Sequence, residues 1–203
     1  MPNRYAARDR SIQNSLMRAK LRLAASLMAW MLIHCVDLSA QEVNMTFRLA
    51  STAFTEGGAI PSKHTCEGAD ISPPLTWSGV PSAAKSLALI VDDPDAPDPA
   101  APRTIWVHWV VYDLPSNTTG LAEGVDANHM PNGAKVGLND WKKPSYGGPC
   151  PPIGRHRYFH KLYALDTTLP ELQKPTKAAL EAAMKGHILA EAQLIGTYQK
   201  KKP

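Results

Sequence analysis

Short runs of branched and aromatic side chains alternate along this chain with stretches rich in proline and glycine. Such runs are typical of β-strands, and the breaks between them are typical of turns and loops. The pattern predicts strands over Met45–Ala50, Ser86–Val91, Thr104–Asp113, Arg157–Asp166 and Ala192–Tyr198. It predicts long loops over Ile60–Pro81, Asp93–Pro102 and Pro131–Gly154. Loops of that length in a compact domain usually carry function.

One helix is predicted in the segment TKAALEAAMKG. Thr176 suits the N-cap position, alanine and leucine favour the helical interior, and Gly186 marks the end. Its apolar stripe consists of Ala179, Leu180, Ala183 and Met184. We expect this stripe to pack on the sheet.

Side chains on a strand alternate between its two faces, which allows neighbours to be assigned. In the third predicted strand the alternation places Trp106, His108, Val110 and Tyr112 on one face and Val107, Trp109 and Val111 on the other. Both faces are apolar, so this strand is expected inside a sheet and covered on both sides. In the fourth strand the same rule places together His156, Tyr158, His160, Leu162 and Ala164.

The charge of the chain is concentrated at its N-terminus. The formal net charge is +4, but residues 1–40 hold six basic and two acidic side chains, and the remaining 16 of each sign balance. The neutral remainder argues against a nucleic-acid partner. A length of 203 residues suits one domain, which we place at 41–203.

Residues 1–40 are predicted to be a secretory signal peptide. A basic segment ends at Arg22, an uncharged segment runs from Leu23 to Val36, and LSA precedes Gln41. Fourteen uncharged residues are fewer than the roughly 20 that a spanning helix needs. An uncleaved N-terminal anchor is the alternative. Because His34 precedes Cys35, we expect no lipid anchor, and the protein is expected in the periplasm or secreted.

Export would leave two cysteines, Cys66 and Cys150, in an oxidising compartment. An even number of cysteines permits a bridge there, and their spacing fits no zinc motif. We favour a Cys66–Cys150 disulfide over two buried thiols.

Polar residues collect where the long loops meet the strands. Asp93 and Asp95 stand among prolines, which stiffen the loop, and His108 interrupts an apolar strand. In GGPCPPIGRHRY, glycines allow close backbone approach to a ligand, and His156 and Tyr158 follow directly. Imidazole and phenol groups can donate to phosphate or carboxylate oxygens, whereas carboxylates can orient a histidine or receive an ammonium group. The set suits a small polar head group that carries an anion.

These motifs resemble the phosphatidylethanolamine-binding protein family, also called Raf kinase inhibitor-like proteins. The resemblance rests on DPDAP (Asp93–Pro97), WVHWVVYDLP (Trp106–Pro115) and GPCPPIGRHRY (Gly148–Tyr158). CEGADISPPLTWSGVP (Cys66–Pro81) and GHILAEAQLIGTYQK (Gly186–Lys200) are similar to its bacterial branch. The resemblance implies a mainly β fold, a β-sandwich with a few short peripheral helices. It also implies a shallow anion-binding pocket formed by Asp93, Asp95, Trp106, His108, Gly148, His156 and Tyr158.

The expected function is therefore non-catalytic binding of a small phosphate-bearing or other anionic head group, with no cofactor and no metal. The alternative is a protein-interaction or inhibitor module, of the kinase- or protease-inhibitor kind, whose pocket is regulatory or vestigial. A hydrolase is disfavoured because GxSxG is absent, and a metal enzyme because HExxH is absent. A protein partner and a homodimer are left open, and no stable membrane anchor is expected.

Overall fold

The computed structural model describes residues 46–201, and within them the chain forms eight β-strands and one α-helix. The strands are β1 (Arg48–Ala50), β2 (Leu75–Ser78), β3 (Ser86–Asp93), β4 (Trp106–Pro115), β5 (Gly120–Leu121), β6 (Lys135–Val136), β7 (His156–Leu165) and β8 (Ile188–Tyr198). The helix, α1, is Lys177–Met184, and a short 3-10 helix is Ser62–His64. The predicted signal peptide lies outside the described residues.

The strands form two antiparallel sheets. The larger has the order β6-β4-β3-β7-β8, and the smaller has the order β1-β2-β5. The mainly β sandwich predicted from the sequence is confirmed, and all five predicted strands are present. The sequence pattern did not predict β2, β5 and β6, because strands of four or two residues inside loops leave almost no alternating pattern.

The main core lies between the two sheets. Leu49 and Trp77 of the smaller sheet pack in one buried cluster with Leu89, Trp109 and Leu162 of the larger sheet. The burial of these large side chains drives the pairing of the sheets, since each contributes roughly 1.5–3 kcal/mol when fully removed from water.

A second buried cluster covers the other face of the larger sheet. Leu180 and Met184 of α1 pack there with Ile90, Val110 and Leu165. The predicted N-cap is confirmed, because the Thr176 hydroxyl accepts a hydrogen bond from the backbone N–H of Ala179 at 3.4 Å. Both faces of β4 are buried, as expected. The prediction that Ala179 joins the packed stripe is wrong, since Ala179 is exposed.

The predicted alternation along β4 fails at His108. Val91 pairs with Trp109 and Asp92 pairs with Val107, so one position on β3 spans two on β4. This β-bulge reverses the alternation: Val107 joins the cluster of Val110 and Tyr112, whereas the His108 ring contacts Tyr158. His108 therefore does not share a face with Val110 and Tyr112. Bulges commonly re-aim one side chain next to a functional site.

The predicted disulfide is present. The sulfurs of Cys66 and Cys150 are bonded, and their Cα atoms lie 5.4 Å apart. The bond joins the loop that follows the 3-10 helix to the loop that precedes β7. The backbone N–H of Cys66 also donates to the carbonyl of Pro149 at 3.2 Å. These two loops consequently form one wall.

Candidate functional site

A cavity of about 660 Å³ opens where β3, β4 and β7 meet the long loops. Five predicted site residues line it: Asp93, Trp106, His108, Gly148 and His156. The disulfide also lines it, together with Asp70, Asn139, Trp141, Lys143, Tyr146 and several prolines. Asp95 and Tyr158 are not among the lining residues.

His108 is buried, and its hydrogen bonding fixes its tautomer. Nδ1 lies 2.6 Å from the Gly147 carbonyl oxygen, which can only accept, so Nδ1 carries the proton. Nε2 has no partner among the described residues. Burial lowers the pKa of His108 below its usual 6.5, and this outweighs the opposing effects of the Gly147 hydrogen bond and of the carboxylates of Asp93, Asp92 and Asp70. At neutral pH, Nε2 therefore presents a lone pair.

His156 is held very differently. Its Nδ1 lies 2.7 Å from a carboxylate oxygen of Asp93, and its Nε2 lies 2.9 Å from the carbonyl oxygen of Ile153. Both partners accept, so both ring nitrogens of His156 serve as donors within the protein. His156 thus lines the cavity with neither nitrogen free to donate to a ligand.

Asp95 lies behind the cavity wall rather than in it. Its carboxylate accepts from the Arg157 backbone N–H at 2.9 Å, from Nε at 2.9 Å and from Nη2 at 2.7 Å. This bidentate pair lowers the pKa of Asp95 despite partial burial. Asp95 therefore fixes the start of β7.

Tyr158 stands behind His108. The two rings meet edge to face with centroids 5.1 Å apart, and the buried Tyr158 hydroxyl has no hydrogen-bond partner within residues 46–201. Burial raises the pKa of this phenol well above 10, so it stays protonated. Tyr158 positions the imidazole as observed; it does not line the cavity.

Gly148 owes its identity to a close backbone approach. A Cβ there would lie 2.4 Å from the His64 carbonyl oxygen and 2.5 Å from an Asp70 carboxylate oxygen. The Gly148 N–H donates to that same Asp70 oxygen at 2.7 Å. Asp70 was missed by the sequence analysis, although it stands in the CEGAD segment that supported the family resemblance.

The loop over residues 139–147 supplies the other missed residues. Asn139 holds it closed by donating to the Ser145 carbonyl at 2.9 Å and accepting from the Lys143 N–H at 3.0 Å. This loop places the ammonium-bearing side chain of Lys143 and the indole of Trp141 on the cavity wall. No motif in the sequence marked either residue, because their position depends on how the loop folds back.

Trp141 packs against two other cavity side chains at once. Its ring meets Trp106 at 5.3 Å and His108 at 5.2 Å between centroids, edge to face in both cases. Trp106 Nε1, like His108 Nε2, is a buried polar atom without a hydrogen-bond partner in the described part of the chain. Two residues that line the cavity thus carry one unsatisfied donor and one unsatisfied acceptor.

Residues 46–201 contain no cluster of three or more His, Cys, Asp or Glu side chains that could hold a metal ion. None of their helices has the length and apolar character needed to cross a bilayer.

Comparison with known proteins shows the family to which this domain belongs. The family model for phosphatidylethanolamine-binding protein matches residues 50–199. The chain belongs to the phosphatidylethanolamine-binding protein family. A protein named UPF0098 from Methanothermobacter thermautotrophicus is 52% identical over 153 residues, which covers 75% of this chain and 98% of that protein. The resemblance found in the sequence is thereby confirmed.

Two solved structures of this family are also similar. A phosphatidylethanolamine-binding protein homolog from Chlamydia trachomatis shares 46% identity with a TM-score of 0.71, over 77% of this chain and 99% of that one. Escherichia coli YbcL, described as a member of the mammalian family, shares 33% identity with a TM-score of 0.70, over 76% of this chain and 99% of that one. The likeness covers the two-sheet domain and supports a binding-protein fold.

Proposed function

We propose that this protein is a non-catalytic, exported binding protein whose cavity holds a small anionic head group of the phosphate class. One observation carries the proposal. Trp106, His108 and Lys143 all line the cavity, and the Trp106 Nε1 donor and the His108 Nε2 atom are buried without a hydrogen-bond partner within residues 46–201. An unsatisfied buried polar atom costs about 1–3 kcal/mol, so a ligand that supplies its partner is favoured.

The apolar part of the wall limits the ligand. The apolar lining residues are Pro97, Pro151 and Pro152, together with the indoles of Trp106 and Trp141. A volume of about 660 Å³ lies within the range typical of small-molecule sites. A compact anion with a short organic substituent suits this enclosure better than a bare inorganic ion.

The absence of catalysis is inferred from how the titratable groups are used. A nucleophilic mechanism needs a base in contact with its nucleophile. Both ring nitrogens of His156 are engaged, and Arg157 holds Asp95. Nε2 of His108 forms no hydrogen bond with a nucleophilic side chain within residues 46–201.

The proposal is tested by calorimetric titration with phosphoethanolamine. We expect weak saturable binding by the wild type. Replacing Trp106→Phe removes the indole donor but keeps an aromatic ring, and should weaken binding roughly tenfold, as expected for one hydrogen bond to a charged group. A circular dichroism spectrum and melting curve of the variant establish that it is folded. Absence of binding by the wild type at 10 mM of any phosphate compound would refute the anion-binding function.

A second function, a protein-interaction module, is favoured by a separate observation. Ile105, Trp141 and Ile153 are 50%, 41% and 57% exposed, and each lines the cavity or adjoins a residue that does. Exposed apolar side chains around a pocket commonly mark an interaction surface. Replacing Ile105 and Ile153 together by serine should abolish partner binding or self-association and leave phosphoethanolamine binding intact. Loss of phosphoethanolamine binding with partner binding or self-association unchanged would favour the small-ligand function.

A further inference from the structure

We propose that the cavity selects a protonated anion: His108 Nε2 accepts a hydrogen bond from the ligand, so that a phosphate monoester binds with net uptake of one proton. This inference rests on the anion-binding function proposed above and specifies the ionisation state of the ligand. The expected ligand carries both an ionised oxygen and an O–H group.

The tautomer of His108 leaves one ring nitrogen without a proton. The Gly147 carbonyl lies 2.6 Å from Nδ1 and can only accept, so the single proton of the neutral ring stands on Nδ1. Nε2, on a side chain that lines the cavity, then offers a lone pair. A phosphate dianion has only acceptors, and two lone pairs facing each other repel. A proton must therefore lie between Nε2 and the phosphate oxygen.

The charged groups around His108 are nearly balanced. The groups that surround it are Asp92 and Asp93 of β3, Asp70 of the disulfide-linked loop, His156, Tyr158 and His160 of β7, and Lys143 and Tyr146 of the 139–147 loop. Asp92 is paired with two lysines, and Asp93 with His156. The remaining lining charges are the Asp70 carboxylate and the Lys143 ammonium. This near balance offers no excess of positive charge to hold a dianion.

Trp141 lies beside both side chains that the ligand would engage. The Trp141 indole packs against both His108 and Trp106, the two lining side chains with unsatisfied polar atoms. A Cβ on Gly147 would lie 2.7 Å from the Trp141 ring, so the indole sits directly on this glycine. Trp141 is nevertheless 41% exposed. A ligand that reaches Trp106 and His108 would therefore also contact this indole.

These requirements distinguish two classes of phosphate compound. A monoester has a second pKa near 6 and can carry a P–OH group, which donates to Nε2 while an ionised oxygen accepts from the Trp106 N–H. A diester carries one charge and no P–OH group. The cavity should accordingly favour the monoester at equal charge.

The experiment compares methyl phosphate with dimethyl phosphate by calorimetry of the purified protein. At pH 7.5, titrations in two buffers of different ionisation enthalpy measure the protons taken up. We expect close to one proton per methyl phosphate bound, at least tenfold weaker binding of dimethyl phosphate, and no proton uptake with the diester. Above pH 7, the Kd of methyl phosphate should rise about tenfold per pH unit, since the protonated ligand becomes tenfold rarer.

The matched variants are His108→Gln and His187→Gln. His187 is exposed and pairs with Asp166 after β7, so its replacement should leave both readouts unchanged. His108→Gln should lose the proton uptake and weaken methyl phosphate binding at least tenfold, while its melting curve establishes that it is folded. Equal binding of both esters without proton uptake would overturn this inference and leave the anion site intact. Failure of both esters to bind at 10 mM would overturn the site and the inference together.

Discussion

His108 and His156 are two buried imidazoles of one cavity, and their hydrogen bonds give them different chemistry. His108 meets one carbonyl and keeps an open lone pair, whereas His156 meets a carboxylate and a carbonyl and donates from both nitrogens. Residue type alone therefore does not predict the role of a histidine. His156 holds the Asp93 carboxylate and the loop that contains Ile153, and the open lone pair of His108 is the group that we propose for ligand binding.

Asp70 is the carboxylate that we expect to recognise an ammonium group of the proposed ligand, because Asp93 is paired with His156 and Asp95 with Arg157. Asp70→Asn keeps the oxygen that accepts from Gly148 and suits the positive φ of 55° at this position, but removes the charge. We expect the preference for phosphoethanolamine over inorganic phosphate to fall about fivefold, as for an exposed ion pair. Calorimetry of both ligands tests this, with Asp166→Asn as control. An unchanged preference would place the ammonium group elsewhere.

His160 should make the protein sensitive to acid. Burial lowers its pKa to about 4 from the usual 6.5. Between those values the unfolded chain binds more protons than the folded one, so stability is full above pH 6.5 and falls as the pH drops towards 4. The shift corresponds to about 3 kcal/mol. Burial also lowers the pKa of His108, which adds a loss of the same sign.

Urea unfolding of wild type and His160→Leu between pH 7.5 and 4.5 measures this loss. Over this pH range the free energy of unfolding should fall by about 2–3 kcal/mol less in the variant than in the wild type, because the variant lacks the titrating imidazole of His160. His129→Gln, at an exposed histidine, is the control and should follow the wild type. Parallel curves for wild type and His160→Leu would contradict the assignment.

At the scale of elements, three irregular features build the site on a regular sheet. The bulge in β4 turns His108 towards the cavity, the disulfide fixes the loop before β7, and Asn139 closes the loop that carries Trp141. The regular parts of β3, β4 and β7 supply a rigid base, because both of their faces are packed. Side chains at the ends of such strands are held more rigidly than side chains on free loops.

The disulfide should contribute to stability and to the shape of the cavity. It links residues 84 apart, and chain-entropy reasoning gives about 4 kcal/mol for a loop of that length. We expect the double variant Cys66→Ser, Cys150→Ser to lose about this much unfolding free energy and to bind phosphoethanolamine more weakly. Denaturation with and without reductant is the measurement: the wild type should lose stability on reduction and the variant should not. Equal stability of the two proteins would show that the bridge is dispensable.

At the scale of the whole molecule, the site lies in a domain that corresponds to almost the whole length of a related protein. The match covers 98% of the UPF0098 protein of Methanothermobacter thermautotrophicus and 75% of this chain. The segment before the matched domain, residues 1–49 by the family model, is where the predicted signal peptide lies.

Export is tested directly on the protein from its native host. The basic segment, the uncharged segment and LSA predict cleavage after Ala40, so the first residue of the purified protein should be Gln41. N-terminal sequencing of periplasmic or secreted material measures this, with a cytoplasmic fraction as control. Cytoplasmic protein that begins at Met1 would contradict both export and the oxidising environment assumed for the disulfide.

The sequence by itself determined the features that depend on local pattern. Alternation and β-branched residues predicted β3, β4, β7 and β8, the capping threonine predicted the start of α1, and the motifs around Asp93, His108 and His156 identified the family. Strands of two or four residues stayed hidden, because a pattern of period two needs more length than that to be recognised.

Only the tertiary structure decided what each polar group faces. Asp95 and Tyr158 stand in the same motifs as the lining residues, yet neither lines the cavity. Asp95 is paired with Arg157, and Tyr158 is packed in the main core. One extra residue in β4 reversed the alternation at His108, and a loop closed by Asn139 brought in Trp141 and Lys143. Strand register, hydrogen-bond partners and loop closure join residues distant in sequence, so no local pattern encodes them.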